Sequence, residues 1–319
     1  MPESRAIGLA GRARGGAAAV RDLPLPRPAE RQGPPSAPPA APRRTRRPGL
    51  AFEIPSLGRI ALLGVVFAYL GVVLLLPLGA LALKAVELGA GSIVRALLEP
   101  EALAGLRNSV IVVGVTLLAN GVLGVAAAIV LVRHRFPGRQ ILDLLVDLPL
   151  AVSPVMTGLA FLLVFGRGGI LQPLLQQLGI NIVFTLPAVI LVTLFVTLPF
   201  TIREVAYVLD ELGTTEEEVA ATLGASPWQT FWRVTLPNIR HGLNLGLTLT
   251  GARALGEFGA ALVVGGAISG KTQTATTFIY AAMEERNEAG AFGMAILLAL
   301  LSIALLFTLR HFKTDRKSE

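Results

Sequence analysis

Residues 109–132 read SVIVVGVTLLANGVLGVAAAIVLV and contain no charged side chain. The stretch lies between Arg107 and Arg133. An α-helix of about 20 mostly apolar residues crosses the roughly 30 Å hydrocarbon core of a bilayer. The stretch therefore predicts a membrane-spanning helix with a basic residue near each end.

Five further stretches have the same apolar character and a similar length. They are residues 60–83, 148–165, 182–201, 243–264 and 289–309. Across the chain, 53% of the residues are hydrophobic and 15% are charged, whereas about a quarter are charged in a typical soluble domain. We therefore expect an all-α, polytopic membrane protein with six transmembrane helices.

The net charge of +7 belongs to one end of the chain. Residues 1–50 hold ten Arg, three acidic residues and ten of the 21 prolines, without periodicity. Such a composition cannot bury a core, so we expect a disordered Arg/Pro-rich tail at residues 1–50. The six-helix domain then covers residues 51–312, and residues 313–319 form a C-terminal tail.

The positive-inside rule orients the predicted helices, because cytoplasmic segments carry an excess of Lys and Arg. With the N-terminus inside, the inner segments hold 21 of the 28 basic residues and the outer segments hold six. The remaining one, Arg253, lies within a span. We expect a bacterial cytoplasmic (inner) membrane protein with both termini in the cytoplasm.

Residues 203–241 form the long cytoplasmic loop of this arrangement. Thr215 and Glu218 have the spacing of a capping box, and Gly224 is typical of a helix C-terminus. Ser226 and Pro227 restart the helix, and Gln229 closes a second capping box with Ser226. We expect Leu236-Pro237 to end the resulting hairpin. Three basic and six acidic residues give the loop a charge of −3, which disfavours nucleic-acid binding. A docking surface for a protein is favoured over a loop that packs on itself.

The same loop resembles the EAA loop of ABC-importer permeases. Glu218-Val-Ala220, three residues, Gly224, nine residues and Val234-Thr-Leu236-Pro237 have the full spacing of that family pattern. Val219 and Val234 are mild apolar departures from it. The resemblance implies a type I (MetI-like) permease fold and a loop that docks on the ATPase subunits. The residues it implies for this coupling are Glu218, Ala220, Gly224, Ala225, Trp228, Leu236 and Pro237.

Longer stretches resemble the sulfate/thiosulfate (CysW-type) permease family. They are DLPLAVSP (147–154), FVTLPF (195–200), GASPWQTFWRVTLPNIR (224–240) and ARALGEFG (252–259). GKTQT (270–274) is more similar to molybdate permeases, so molybdate or tungstate stays an alternative substrate. The resemblance implies three kinds of partner: an ATPase dimer, an extracytoplasmic sulfate-binding protein, and a second permease subunit (CysT-like) or a second copy.

Four polar residues within the predicted spans are candidates for a translocation path or gate. Arg253 and Glu257 are four residues apart and share one helix face, and a charge at membrane depth is costly unless it is paired. Ser153 and Thr157 fall within the third span. For all four residues, a purely structural tie between helices is an equally open interpretation.

The sequence shows no set of residues for catalysis. Cysteine is absent, and the three histidines are scattered, so we expect no metal site, no cofactor and a non-catalytic subunit. Residues 265–272 fit the P-loop pattern, but they follow a membrane span rather than a strand, so we interpret the match as coincidental. The rival classes are an ATP-independent secondary transporter or channel and a membrane-bound P-loop ATPase.

Overall fold

The computed structural model describes residues 56–311 of the chain. The predicted tails at residues 1–50 and 313–319 lie outside the described residues. The chain divides into two units, residues 1–60 and residues 61–319. Of the first unit, only residues 56–60 are described, and they begin the first helix.

All regular structure in the described residues is helical, as the apolar spans predict. Two π-helical turns, Gly71–Leu75 and Phe231–Thr235, interrupt the α-helices. In chain order the α-helices are α1 (Ser56–Leu70), α2 (Leu76–Leu88), α3 (Ala90–Leu97), α4 (Pro100–Arg133), α5 (Arg139–Ala151), α6 (Pro154–Phe165), α7 (Gln172–Gln177), α8 (Leu186–Leu212), α9 (Thr215–Thr222), α10 (Pro227–Thr230), α11 (Leu236–Leu255), α12 (Gly259–Gly265), α13 (Ala275–Glu284) and α14 (Glu288–His311).

Four of the expected spans are long, apolar helices. They are Ile60–Leu88, Pro100–Arg133, Leu186–Leu212 and Glu288–Phe307. Two further spans are each a pair of helices joined at a bend, which brings the total within the described residues to six when each pair counts as one. Six crossings agree with the expectation from hydropathy, although two of them are not straight.

The third span is not the single helix expected over residues 148–165. α5 and α6 meet at an angle of 117°. Val152 and Ser153 between them have extended backbone, with ψ angles of 136° and 140°. The cause is Pro154, whose ring disfavours helical conformation in the preceding residue and which then serves as the first residue of α6.

The fifth span, expected as one stretch over residues 243–264, is also broken. α11 and α12 meet at 59°, and Gly256, Glu257 and Phe258 lie between them. The helix begins well before the predicted boundary, since α11 starts at Leu236 and is preceded directly by the π-helical turn.

The core of the bundle lies between α4, α8 and α11. Their apolar side chains form one buried cluster that includes Leu131, Ile202 and Ile239. Small residues bring the helices together: a Cβ atom placed on Gly124 would lie 2.7 Å from the Thr201 side chain. Membrane helices associate closely through such small residues because lipid provides no hydrophobic force between them.

Candidate functional site

The loop between α8 and α11 folds into a compact hairpin of α9, α10 and the second π-helical turn, which we call the coupling hairpin (residues 213–235). α8 continues to Leu212, so residues 203–212 of the predicted loop are helical. Gly213 and Gly224 have φ angles of 64° and 84°. These values favour glycine, and Gly224 thus ends the first short helix as the sequence predicts.

The second capping box of the hairpin is confirmed. The Ser226 hydroxyl accepts a hydrogen bond from the Gln229 backbone N–H at 3.3 Å, and the Gln229 side chain accepts one from the Ser226 N–H at 2.9 Å. Pro227 is the first residue of α10, where its missing N–H has no cost.

Two expectations about the hairpin are wrong. Thr214, not Thr215, precedes α9, and its hydroxyl donates to Glu218 Oε1 at 2.6 Å without capping a backbone N–H. Leu236-Pro237 does not end the helix either. In the π-helical turn, the N–H of Leu236 donates to the carbonyl of Phe231, five residues back. This local change of register accommodates Pro237, which has no N–H to donate, and α11 continues beyond it.

The outer surface of the coupling hairpin is apolar and aromatic. Trp228 and Trp232 are 69% and 50% exposed, and Leu223 is 83% exposed. The Trp228 and Trp232 rings meet edge to face at 5.5 Å, and Phe231 packs against both. The hairpin buries Phe231 partly against the core but leaves both tryptophans exposed, and an exposed apolar cluster of this kind marks an interaction site.

Three successive glutamates of α9 have different contacts. Glu218 is exposed and bonds to Thr214 within the hairpin. Glu216 accepts a hydrogen bond from the Asn238 side chain of α11. Glu217 is half-buried and forms an ion pair with Arg133, the last residue of α4, with 3.1 Å between Arg133 Nε and Glu217 Oε2. Of these three, Glu218 faces solvent and the other two hold the hairpin to the bundle.

The remaining residues predicted for coupling differ in their exposure. Gly224 and Pro237 are exposed, whereas Ala220, Ala225 and Leu236 are partly buried. The small side chains at 220 and 225 keep the hairpin narrow, and the Ala225 N–H donates to the Ala220 carbonyl at 3.1 Å.

A second polar site lies where the two broken spans meet, which we call the broken-span junction (residues 152–158 and 253–261). The Arg253 guanidinium pairs with Glu257 at 2.8 Å, and the Glu257 side chain is only 2% exposed. Its other oxygen accepts a hydrogen bond from the Ala260 N–H at 2.9 Å. Glu257 thus stabilises the start of α12, whose first N–H groups have no partner within the helix.

The two breaks lie side by side. A Cβ atom on Gly259 would be 3.1 Å from the Val155 side chain and 3.5 Å from Pro154. Ser153 is exposed at the bend, while Thr157 is 2% exposed and its hydroxyl donates to the Ser153 carbonyl at 3.3 Å. All four predicted path residues therefore belong to this junction, but the cavity next to Glu257 has a volume of only about 10 Å³.

Asp143 and Asp147, near the start of the third span, form ion pairs with Arg203. Both oxygen–nitrogen distances are 2.7 Å, and the three residues tie α5 to α8. These ion pairs connect the two helices.

Residues 265–272 do not form a phosphate-binding loop. Gly265 ends α12, so a helix and not a strand precedes the motif. The Thr272 hydroxyl donates to the Gly265 carbonyl at 2.7 Å and accepts from the Ile268 N–H at 2.9 Å. Asn108 of α4 holds the same loop through the carbonyls of Lys271 and Gln273. The threonine that would bind Mg²⁺ in a P-loop is thus occupied internally.

The structure shows two long-range contacts that sequence reasoning missed: Arg133 pairs with Glu217, and Asn108 binds the loop at residues 271–273. Arg133 is recognised in the sequence only as the end of a span, and Glu217 only as one of three acidic residues at a helix start. Among residues 56–311, no three or more His, Cys, Asp or Glu side chains are grouped to hold a metal ion.

Comparison with known proteins fits this geometry. Residues 120–317 match the family described as "Binding-protein-dependent transport system inner membrane component". The chain belongs to this family. The inner membrane components of such systems are non-catalytic, multi-pass permease subunits, and the expectation of a non-catalytic membrane subunit is thereby confirmed.

Relatives of this permease cover most of its length. "Sulfate permease 2, chloroplastic" of Chlamydomonas reinhardtii is 43% identical over 81% of this chain and 70% of its own length. "Sulfate transport system permease protein CysW" of Synechococcus elongatus is 40% identical over 83% of this chain and 94% of its own. The CysT permease protein of Escherichia coli is 34% identical over 79% of this chain and 91% of its own.

Solved structures share the fold of this permease. A chain of a bacterial alginate ABC transporter superimposes with a TM-score of 0.69 at 18% identity, covering 82% of this chain and 95% of that one. A chain of the MetNI methionine transporter gives a TM-score of 0.50 at 18% identity, covering 66% of this chain and 93% of that chain. The expected type I permease fold is therefore confirmed.

Proposed function

We propose that this permease is one half of the membrane pore of an ATP-driven importer for sulfate or thiosulfate. The substrate class is supported by the names of the relatives, which are sulfate permeases. The observation that carries the proposal is the coupling hairpin, since the sequence there has the EAA spacing and the Trp228 and Trp232 side chains face outward.

In this proposal the coupling hairpin is the docking site for a dimer of ATPase subunits. The exposed residues Glu218, Gly224, Trp228 and Pro237 contact the ATPase directly, and the aromatic cluster provides most of the binding energy. Ala220, Ala225 and Leu236 shape the hairpin from beneath. ATP is thus bound and hydrolysed by the partner, and this chain needs no cofactor of its own.

The transport cycle follows from this docking. ATP-driven closure of the two ATPase subunits moves the hairpin and switches the pore from inward to outward access. A second, CysT-like permease subunit or a second copy completes the pore, and an extracytoplasmic binding protein delivers the oxyanion. The hairpin and both termini then lie in the cytoplasm, as the distribution of basic residues favours.

The broken-span junction is proposed to border the translocation path. Ser153 and Arg253 are the accessible members, whereas Thr157 and Glu257 are buried and hold the junction in shape. Substituting Glu257→Gln keeps an acceptor for the Ala260 N–H but removes the charge. We expect lower uptake with normal assembly of the complex; normal uptake with poor assembly would reject a gating role.

The substrate is tested with the purified complex in proteoliposomes. The permease is co-purified with its ATPase subunits, the binding protein is added, and uptake of radiolabelled sulfate is measured with and without ATP. We expect ATP-dependent uptake that unlabelled sulfate and thiosulfate compete away more effectively than molybdate. Uptake that survives ATP depletion at constant membrane potential would instead identify a secondary transporter or channel.

Molybdate or tungstate is the second candidate substrate. The GKTQT stretch at residues 270–274 favours it, since this stretch is more similar to molybdate permeases. In the same competition experiment, stronger inhibition by molybdate than by unlabelled sulfate would assign the complex to this substrate.

A further inference from the structure

The helix α4 joins the coupling hairpin to a loop at the opposite end of the molecule. It has 34 residues and no proline after its first position. Arg133 at its C-terminus contacts the hairpin, and Asn108 near its N-terminus contacts the loop of residues 266–274. At about 1.5 Å per residue, these two contacts are roughly 40 Å apart.

At the hairpin end, one ion pair connects four elements. Besides Glu217 of α9, the Arg133 guanidinium reaches the carbonyls of Leu209 in α8 at 3.1 Å and of Gly213 at 2.6 Å. Glu217 Oε1 also accepts a hydrogen bond from the Thr235 hydroxyl of the π-helical turn at 2.9 Å. The Arg133 and Glu217 side chains are 14% and 24% exposed, so water screens their attraction only partly.

The coupling hairpin is joined to α8 through a single glycine, whereas its other end continues directly into α11. This glycine, Gly213, has no side chain to pack against its neighbours and has a positive φ angle of 64°. Arg133 bridges this link, because its guanidinium bonds to the Leu209 and Gly213 carbonyls and also pairs with Glu217. Arg133 therefore connects α9 to the end of α4 independently of the Gly213 link.

At the far end, α4 holds the loop through buried polar contacts. The Asn108 amide is 1% exposed and donates to the carbonyls of Lys271 at 3.1 Å and Gln273 at 2.9 Å. The neighbouring Ser109 hydroxyl accepts a hydrogen bond from the Ala275 N–H at 2.8 Å. Rigid helices with specific contacts at both ends can carry coupling between distant sites.

We infer that Arg133 and Glu217 are positioning residues that transmit the movement of the coupling hairpin through α4 to the loop at residues 266–274. The inference rests on the proposed function, because it requires an ATPase that moves the hairpin. It differs from docking, since Arg133 and Glu217 face the bundle and not the exposed aromatic surface.

The absence of cysteine from the chain allows a direct test. Lys271 is exposed, and a Lys271→Cys chain carries a single thiol at the far loop while keeping the carbonyl that Asn108 binds. In the assembled complex, the rate at which a membrane-impermeant maleimide modifies this subunit is measured with and without trapped nucleotide. We expect the nucleotide to change that rate about fivefold, a typical allosteric coupling.

Glu217→Gln and the milder Arg133→Lys are then introduced into this chain, with Glu211→Gln as control. Glu211 is exposed and lies just before the hairpin. We expect Glu217→Gln to retain the ATPase subunits and their hydrolysis, to abolish the nucleotide effect at position 271, and to lower uptake per ATP by about tenfold. The Glu211→Gln control keeps both the nucleotide effect at position 271 and the uptake per ATP. In the double variant Arg133→Gln/Glu217→Gln, we expect uptake per ATP to fall by the same factor as in Glu217→Gln alone. Two groups that act only as a pair give such a non-additive result.

Three results would overturn the inference. The first is that Glu217→Gln and Arg133→Lys both leave the nucleotide effect at position 271 and the uptake per ATP unchanged. The second is a complex of either variant that loses its ATPase subunits, since the pair would then serve docking. The third is a parent Lys271→Cys complex that hydrolyses ATP but whose rate of maleimide modification at position 271 is the same with and without nucleotide. Failure of the proposed function gives a different result, because the unmodified permease would not retain an ATPase.

Discussion

The coupling hairpin and the broken-span junction each carry side chains whose polarity is opposite to that of their surroundings. The hairpin, proposed to lie in water, exposes Trp228 and Trp232, whereas the junction, within apolar spans, contains the charges of Arg253 and Glu257. Each group is unfavourable where it stands unless it has a partner. At the junction the partner is within the chain; at the hairpin we propose that it is the ATPase subunit.

The two Arg–Glu pairs show the same difference at closer range. Arg253 and Glu257 are four residues apart and stabilise one break in the chain. Arg133 and Glu217 come from separate helices and connect them. The pair within one segment sets local shape, whereas we infer that the pair between segments transmits the movement of the hairpin.

The largest effect is expected at the junction. Glu257→Ala leaves the Arg253 charge without a partner and the Ala260 N–H without an acceptor. Removing one member of a buried pair costs about 3–5 kcal/mol of unfolding free energy. Arg253 is 30% exposed, so we expect about 3 kcal/mol, measured by denaturant unfolding of the detergent-purified subunit. Glu285→Ala, at an exposed position, is the control, and equal stability of the two variants would contradict the prediction.

The second effect concerns the hairpin and its external partner. Trp228→Ala removes the most exposed aromatic residue of the hairpin cluster. We expect about 2 kcal/mol weaker binding of the ATPase subunit, or roughly 30-fold, as at interface hot spots. The permease itself keeps its stability. The dissociation constant is compared with that of Tyr207→Ala, a residue with the same 69% exposure outside the hairpin; equal affinities would place the docking surface elsewhere.

The third effect tests how closely the broken spans pack. A Cβ atom on Gly158 of α6 would lie 2.8 Å from the Val263 Cβ atom of α12. Overpacking of this kind costs about 1–3 kcal/mol. Gly114→Ala in α4 meets no atom within 4 Å and serves as the control. We expect Gly158→Ala to be about 1.5 kcal/mol less stable than Gly114→Ala in the same unfolding assay, and the reverse order would refute close packing at the junction.

The smallest effect is confined to the hairpin. Ser226→Ala removes the N-cap of α10, which costs about 1 kcal/mol. We expect amide hydrogen exchange at Gln229 to become about fivefold faster, since that N–H loses its acceptor. Exchange in α4 stays unchanged. Ser269→Ala, an exposed serine in another loop, is the control, and an unaltered Gln229 rate would show that the cap does not hold the hairpin.

Local rules of sequence predict much of this molecule. Hydropathy places the six crossings, because burial in lipid depends on an uninterrupted apolar stretch. The spacing of Gly224, Ser226 and Gln229 predicts how the hairpin turns, because caps depend on residues within one helical turn. The bend before Pro154 has a local cause as well, although the hydropathy of residues 148–165 hides it.

Contacts between distant segments are decided only by the tertiary structure. Arg133 and Glu217 are 84 residues apart, and their pairing depends on how α4 lies against the end of α8. The meeting of the two broken spans at Gly259 and Pro154 likewise depends on helix packing. Sequence by itself determined which segments cross the membrane and where the hairpin turns, since these depend on neighbours along the chain. The packed bundle decided which charges meet, since no periodicity encodes the register of one helix against another.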